Sequence, residues 1–536
     1  MPRMRKYTWS AFSGLALLTI AGCSRDEMPA GPYQVEEVAL TQLATDLADG
    51  KTTAVEVTRA YIERINRYDA PLRAVMAVAP DALEQAAASD LRRKDGKSLG
   101  VLDGIPVLFK DNIDIAGLPT TAGSFVLEKN VAAADAEAVK RLRDAGAVIL
   151  GKNNLAQFSG FRAVAVLNGS TVGHAPHNPY NLARSPAGAS SGSAISAATS
   201  FSAASVATDT DGTGIETASV NGVVALRPTQ GLISRRGLVP LSMTLDTAGP
   251  IARSTADVAA MFTVMAGSDP GDAVTQSADA HKSDYSKGLN ARALKGQRLG
   301  VLRGTRGYDA ETEKLLDDAL KVMGAQGAGM VELPLDLIED VSPEIITIKS
   351  AEFKEDIGNY LARAPSSQDA RTLADIILIN RFDPRENMHD QEALEVSQAR
   401  DGRKDPDYLR MLASARKRAG PDGLGKAFTD FGVSAVVGVT SGPGEFLAAD
   451  RTLLDRSPNV AMQKGTAPPS IGENAALAGL PHLTVPMGQL ENMPVGLSFV
   501  GPAWSESTLL AYAHAYEQAA KRRAPPAAYK DGFPAR

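Results

Sequence analysis

Cysteine is almost absent: the 536 residues hold one, Cys23. An internal disulfide is therefore excluded, as is a CxxC redox pair or a multi-thiolate metal site. Histidine is scarce as well, with six residues scattered along the chain, no HExxH and no clustering with Asp or Glu at ligand spacing. A metal site has little support from either residue type. An excess of positive charge is also missing: 56 Lys plus Arg stand against 62 Asp plus Glu, for a net charge of -6 and no basic block. This argues against nucleic acid as a partner and leaves small molecules or peptides. A phosphate loop is lacking too. Gly420 to Lys426 has the right glycine and lysine spacing, but Ala427 stands where a Ser or Thr should bind magnesium, and a charged helical stretch precedes it instead of a strand. No cofactor is expected.

What is present is a large globular composition, 44% hydrophobic and 22% charged, enough to bury a sizeable core. The first residues read as an export signal: Arg3, Arg5 and Lys6, then the apolar run Trp9–Ile20, then Ala21-Gly22-Cys23. That run is well short of the roughly 20 residues a span requires. Ile20-Ala21-Gly22-Cys23 looks like a bacterial lipobox, and lipidation gives the lone cysteine a purpose. The expectation is a signal peptide over 1–23, a polar spacer over 24–35 and one domain over 36–525. The protein would sit on the periplasmic side of the bacterial cell envelope, held to a membrane by a lipid on Cys23.

Along that domain, strand and helix patterns alternate, as in a mixed or parallel α/β sheet. Thr53-x-x-Glu56 is a capping box, and Val57, Tyr61, Ile65 and Tyr68 follow at helical spacing. Gly104–Lys110 reads as a buried strand ending in a lysine, 134–146 as a helix and 147–150 as a strand. His174–Pro186 is loop. A small-residue helix is expected over 193–200, a strand over 299–302 and a helix over 311–323. The polar stretch 336–430 reads as a peripheral helical region or a lid, and core character returns at 475–485 and 495–500 before a last helix near 507–521.

Two features carry chemistry. The first is Ser185–Pro228, which opens SPAGASSGSA and reaches TDTDGTGIETASV at Thr208–Val220. Composition alone leaves it either a linker or a backbone floor whose free amides bind an anion or oxyanion. Gly188–Gly192 matches GxSxG in form, yet a Pro-rich loop precedes it where that elbow needs a strand. The second feature is Lys110. A lysine desolvated at the end of an apolar strand favours its neutral amine and can act as a general base; equally, it can pair with Asp111 or Asp114 or reach the surface.

Long motifs then converge. GIPVLFKDNIDIAGLPTTAGS (104–124), NPYNLARSPAGASSGSA (178–194), TDTDG with NGVVALRPTQGLISRRGLVPLS (208–242), LDTAGPIARSTADVA (245–259) and AALAGLPHLTVPMG with MPVGLSFVG resemble the amidase signature family, most closely its bacterial peptide amidases. The resemblance spans about residues 36–520. It implies an α/β amidase signature fold, a large mixed β-sheet covered by helices on both faces, with 336–465 as the variable, substrate-side region. It also implies acyl transfer from an amide to a serine and then to water, with a lysine acting through a bridging serine and backbone amides holding the oxyanion. The lysine falls on Lys110, and the oxyanion amides on Thr210, Asp211, Gly212 and Thr213.

Two side chains of that machinery are changed. Ala189 takes the bridging serine's place and Thr213 the nucleophile's, and their separation of 24 positions equals the family's. Gln157 also stands where the family usually has glutamate, and Glu216-Thr217 where it has an apolar residue and proline. Threonine keeps a hydroxyl but its methyl restricts χ1, whereas Ala189 removes the relay. Lys110 would then reach Thr213 through water, or act through Ser190 or Ser191. The expectation is amide C–N hydrolysis or related acyl transfer on a small amide or peptide-like substrate, with Lys110 as base and Thr213 or Ser190 as nucleophile. The rival is a catalytically impaired protein that keeps the pocket for binding.

Overall fold

The computed structural model describes residues 33–162, 169–305, 308–445 and 468–529. The expected signal peptide, Cys23 and most of the spacer lie outside the described residues. Eleven strands form one sheet: β1 (Val75–Val78), β2 (Pro106–Lys110), β3 (Val148–Asn153), β4 (Ala204–Asp209), β5 (Val224–Arg227), β6 (Thr247–Ala252), β7 (Arg298–Val301), β8 (Gly329–Glu332), β9 (Ala435–Ser441), β10 (His482–Leu490) and β11 (Met493–Val500). Their spatial order is β1-β3-β2-β4-β6-β5-β10-β11-β9-β7-β8. The sheet is mixed: β3, β2 and β4 run parallel, as do β9, β7 and β8, while antiparallel strands β6, β5, β10 and β11 join the two groups.

Strand alternation divides the core into two layers. On β5, Val224 and Leu226 join the large hydrophobic core, while Ala225 between them points to the other side. There it meets Ala194, Ala197 and Ala198 of the Ser191–Ala198 helix and Ile215 and Ala218 of the Thr213–Val220 helix. Successive strand side chains face opposite ways, so helices cover both faces of this sheet. Six of the nine buried residues of this second layer are alanine, which lets these two short helices approach the strands closely.

Local signals explain several elements. The capping box forms: the Glu56 amide donates to Thr53 Oγ1 (3.1 Å) and the Thr53 amide to Glu56 Oε2 (3.0 Å), starting the Ala54–Tyr68 helix. Strand β2, Pro-Val-Leu-Phe-Lys, is buried along its whole length, as parallel strands covered on both faces are. The polar 336–430 stretch contains five α-helices among the described residues, Ser342–Leu361, Leu373–Phe382, Glu392–Ala399, Pro406–Ala419 and the short Gly425–Thr429. Gly420–Leu424, the false phosphate loop, is a helical turn between the last two of these. Among the described residues no helix is long and apolar enough to cross a membrane.

The three parallel strands place the site. Val107 pairs with Ala204 and Lys110 with Asn153, so β2, β3 and β4 finish side by side with Lys110, Asn153 and Asp209 at their carboxyl ends. In open α/β sheets, ligands bind beyond the carboxyl ends of strands.

Candidate functional site

Lys110 is 1% exposed at the end of β2. Its Nζ donates to Thr208 Oγ1 at 2.8 Å and to Ser159 Oγ at 3.2 Å. Asn112 Nδ2 donates to the same Thr208 hydroxyl at 3.0 Å, which fixes it between two donors. Burial pushes the lysine down to about 8, and the negative charges of Asp246, Asp209 and Asp211 limit the fall. The neighbouring aspartates do not take this lysine: Asp111 pairs with Lys152 (3.0 Å), and Asp114 accepts the Tyr360 hydroxyl (2.7 Å).

Beyond β4 the chain turns sharply and starts the Thr213–Val220 helix. The turn is braced from within. Asp209 accepts the amides of Gly212 (2.9 Å), Gly214 (2.8 Å) and Ile215 (3.2 Å), satisfying donors that a helix N-terminus leaves open. Buried Arg227 clamps that aspartate, donating to its carbonyl at 2.9 Å and to its carboxylate at 2.6 Å. Gly212 has φ of +90°, and a Cβ there would lie 2.7 Å from the Gly472 carbonyl carbon, so both conformation and space demand glycine. Of the nominated oxyanion amides, that of Gly212 is already engaged by Asp209 and that of Thr213 by Asp211 Oδ1 at 3.4 Å.

The Thr213 hydroxyl donates to Asp211 Oδ1 at 2.8 Å, and Lys349 from the Ser342–Leu361 helix holds the other oxygen of that carboxylate at 2.9 Å. Burial alone pushes the Asp211 carboxyl up; the Lys349 ammonium and the Thr213 contacts more than offset this, holding it at about 2. Thr210 donates its hydroxyl to Asp246 Oδ1 (2.7 Å), a carboxylate that also receives the Leu241 and Ser242 amides. There burial dominates and raises the Asp246 carboxyl to about 6.

The small-residue loop packs against this turn. Ser190 donates its hydroxyl to the Thr208 carbonyl at 2.7 Å, so Thr208 meets Lys110 with its side chain and Ser190 with its backbone. Ala189 is 9% exposed, and its carbonyl accepts the Ala156 amide (3.2 Å), which joins the loop to the 157–160 turn. Ser191 Oγ is buried without a hydrogen-bond partner among the described residues.

The nominated residues thus come together around β2 and β4, with hydroxyl contacts that the sequence did not reveal. Thr208 opens the TDTDG motif, but its contact with Lys110, 98 positions away, has no sequence signal, and Ser159, 49 positions away, lies outside every motif quoted. Lys349 was equally invisible, one charge in a polar stretch. Gln157 has a tangible role: its Nε2 donates to Glu386 Oε2 at 3.1 Å, and Glu386 also accepts Ser124 Oγ, Thr171 Oγ1, the Phe125 amide and the buried Arg162 guanidinium. Glu386 thus supplies the buried carboxylate that Gln157 donates to.

Comparison with known proteins matches residues 56–510 to the Amidase family. A probable amidase from Arabidopsis thaliana is 33% identical over 528 residues, covering 95% of each chain. The X-ray structure of native peptide amidase from Stenotrophomonas maltophilia superposes with a TM-score of 0.84 at 38% identity, covering 91% of this chain and 98% of that one. The crystal structure of an amidase family protein from Bacillus anthracis superposes with a TM-score of 0.80 at 31% identity, covering 92% of each chain. With its large mixed sheet and these matches along nearly its whole length, the chain belongs to the amidase family.

Proposed function

We propose that this chain catalyses amide C–N hydrolysis, or a related acyl transfer, on a small amide or peptide-like substrate, with Lys110 as the general base. The observation that carries the reading is the buried Lys110 amine at the carboxyl end of β2, in hydrogen-bond contact with two hydroxyls. A lysine poised near neutrality can take a hydroxyl proton during attack on the amide carbonyl and return one to the departing amine, a service worth ~10²–10⁴-fold in rate. The likeness to a peptide amidase supports the substrate class. Of the nominated turn, the backbone amides of Thr210 and Asp211 would face the developing oxyanion, those of Gly212 and Thr213 being held by Asp209 and Asp211.

The nucleophile is not the family's serine. The hydroxyls at the two nominated positions, Thr213 and Ser190, donate to Asp211 and to the Thr208 carbonyl. Release of ammonia from C-terminally amidated peptides, measured for residues 24–536 and for Lys110→Ala, tests the reading. The expected result is turnover by the parent and a loss of ~10²-fold or more in the variant. Equal turnover in both would remove Lys110 from the chemistry.

The second reading, a binding protein descended from an amidase, is supported by the motif resemblance that puts Ala189 at the relay serine's place. On that reading the parent is inert yet retains an amidated peptide in equilibrium dialysis. We further propose that the chain is exported and lipid-anchored through Cys23, supported by the lipobox pattern alone. Metabolic labelling with palmitate should mark the parent and not Cys23→Ala; an unlabelled parent would end that proposal.

A further inference from the structure

We infer that Ser159 is the nucleophile of this site, forming a serine–lysine pair with Lys110; the inference rests on the amidase reading above. Every hydroxyl near the lysine can be weighed by its present partners. Thr213 donates to Asp211 (2.8 Å) and Ser190 to the Thr208 carbonyl (2.7 Å), so each would have to leave an acceptor and turn before meeting Lys110. Thr208 touches Nζ, but it is only 6% exposed and its backbone carbonyl is held by Ser190. Ser159 Oγ lies 3.2 Å from Nζ, also accepts from Asn112 Nδ2 at 3.5 Å, and is the more open of the two hydroxyls in contact with the lysine.

The backbone holds Ser159 in a conformation that packing must enforce. Phe158 and Ser159 have φ of +47° and +54°, a left-handed pair without a glycine, which costs free energy unless surrounding contacts over-determine it. Those contacts are visible. Phe158 is buried edge-on against Phe353, with centroids 5.8 Å apart, and Phe161 meets the same ring at 4.9 Å. On the other side, the Ala156 amide ties the turn to Ala189, the position that lost the relay serine. A left-handed turn that presents a serine to a buried lysine next to that vacated position is a substitute for the missing hydroxyl.

The step balances with the groups present. Neutral Lys110 Nζ takes the Ser159 Oγ proton as Oγ bonds to the amide carbon, whose carbonyl electrons move onto oxygen. Collapse breaks the C–N bond, and Nζ returns its proton to the leaving amine. Water, deprotonated by the same amine, then cleaves the Ser159 ester, and the proton goes back to Oγ. Thr208 and Asn112 keep their contacts throughout and hold Nζ in line.

The test is the site of covalent labelling by a fluorophosphonate on residues 24–536, read by peptide mapping alongside ammonia release. The expected adduct is on Ser159, and Ser159→Ala should label ~10³-fold more slowly or not at all. Ser159→Gly, which suits the left-handed backbone, guards against a folding defect and should lose the label with an unchanged melting curve. An adduct on Thr213 or Ser190 would overturn the assignment while leaving the amidase reading standing. A parent that neither labels nor releases ammonia overturns both.

Discussion

Lys110 concentrates the conflict between burial and charge at the residue scale. Desolvation favours its neutral form, while three aspartates on the adjoining turn and loop favour the ammonium, and desolvation prevails. Asp246 is the largest of those opposing charges, and it is itself raised to about 6 by burial. Replacing it removes a negative charge without emptying the space, because an amide can still accept the Thr210 hydroxyl. Asp246→Asn should therefore lower the apparent pKa on the rising limb of the pH–rate profile, so that the variant reaches its plateau at lower pH than the parent. A rising limb that stays in place would mean that this carboxylate does not act on the reacting base.

At the scale of elements, the site depends on how helical segments far along the chain dock onto the turns beyond β2, β3 and β4. Glu386 and Arg162 form an ion pair with both side chains fully buried, and Gln157, Ser124 and Thr171 complete the carboxylate's hydrogen bonds. Removing one member leaves the other charge buried and unpaired, at a cost of about 3–5 kcal/mol. Glu386→Ala should lower the urea midpoint accordingly, whereas Glu386→Gln, still able to accept from Ser124 and Thr171, should lose less. Equal, small losses would indicate that water reaches the pair. The elements themselves were legible wherever a local cause sufficed. Thr53 and Glu56 announce a helix start, and Pro106–Phe109 is an uninterrupted apolar run because helices cover both faces of its strand. The strand expected over 147–150 continues to Asn153, because Gly151, Lys152 and Asn153 are polar or small yet pair with β2 and β1. Such pairing is tertiary and leaves no periodic trace. The same holds for the site: Lys110 and the 208–213 turn stood out through long motifs, whereas Ser159, Lys349 and the contact of Thr208 with the lysine acquire meaning only when the chain brings them to the ends of three strands.

Across the whole molecule, the buried base should be visible in the stability. The folded pKa of Lys110, about 8, lies below its ordinary value of 10.5. Between those values the unfolded chain binds more protons than the folded one, so this group's contribution to stability rises with pH from about 8 to 10.5 and is unfavourable below that window. Lys110→Met should accordingly melt above the parent at pH 6, with a gap that narrows as pH climbs through 8. Such a stabilised but inactive variant is the expected mark of a residue kept for function at some cost to the fold. A parent that melts higher than the variant at every pH would assign the lysine a structural role instead.

The pH dependence of kcat/KM for ammonia release from an amidated peptide probes the same lysine in its working role. We predict that the rate rises through a single ionisation near pH 8 and levels off above it, with that limb abolished in Lys110→Ala. A profile flat from pH 6 to 9, or the same limb in the variant, would contradict the assignment of Lys110 as the base.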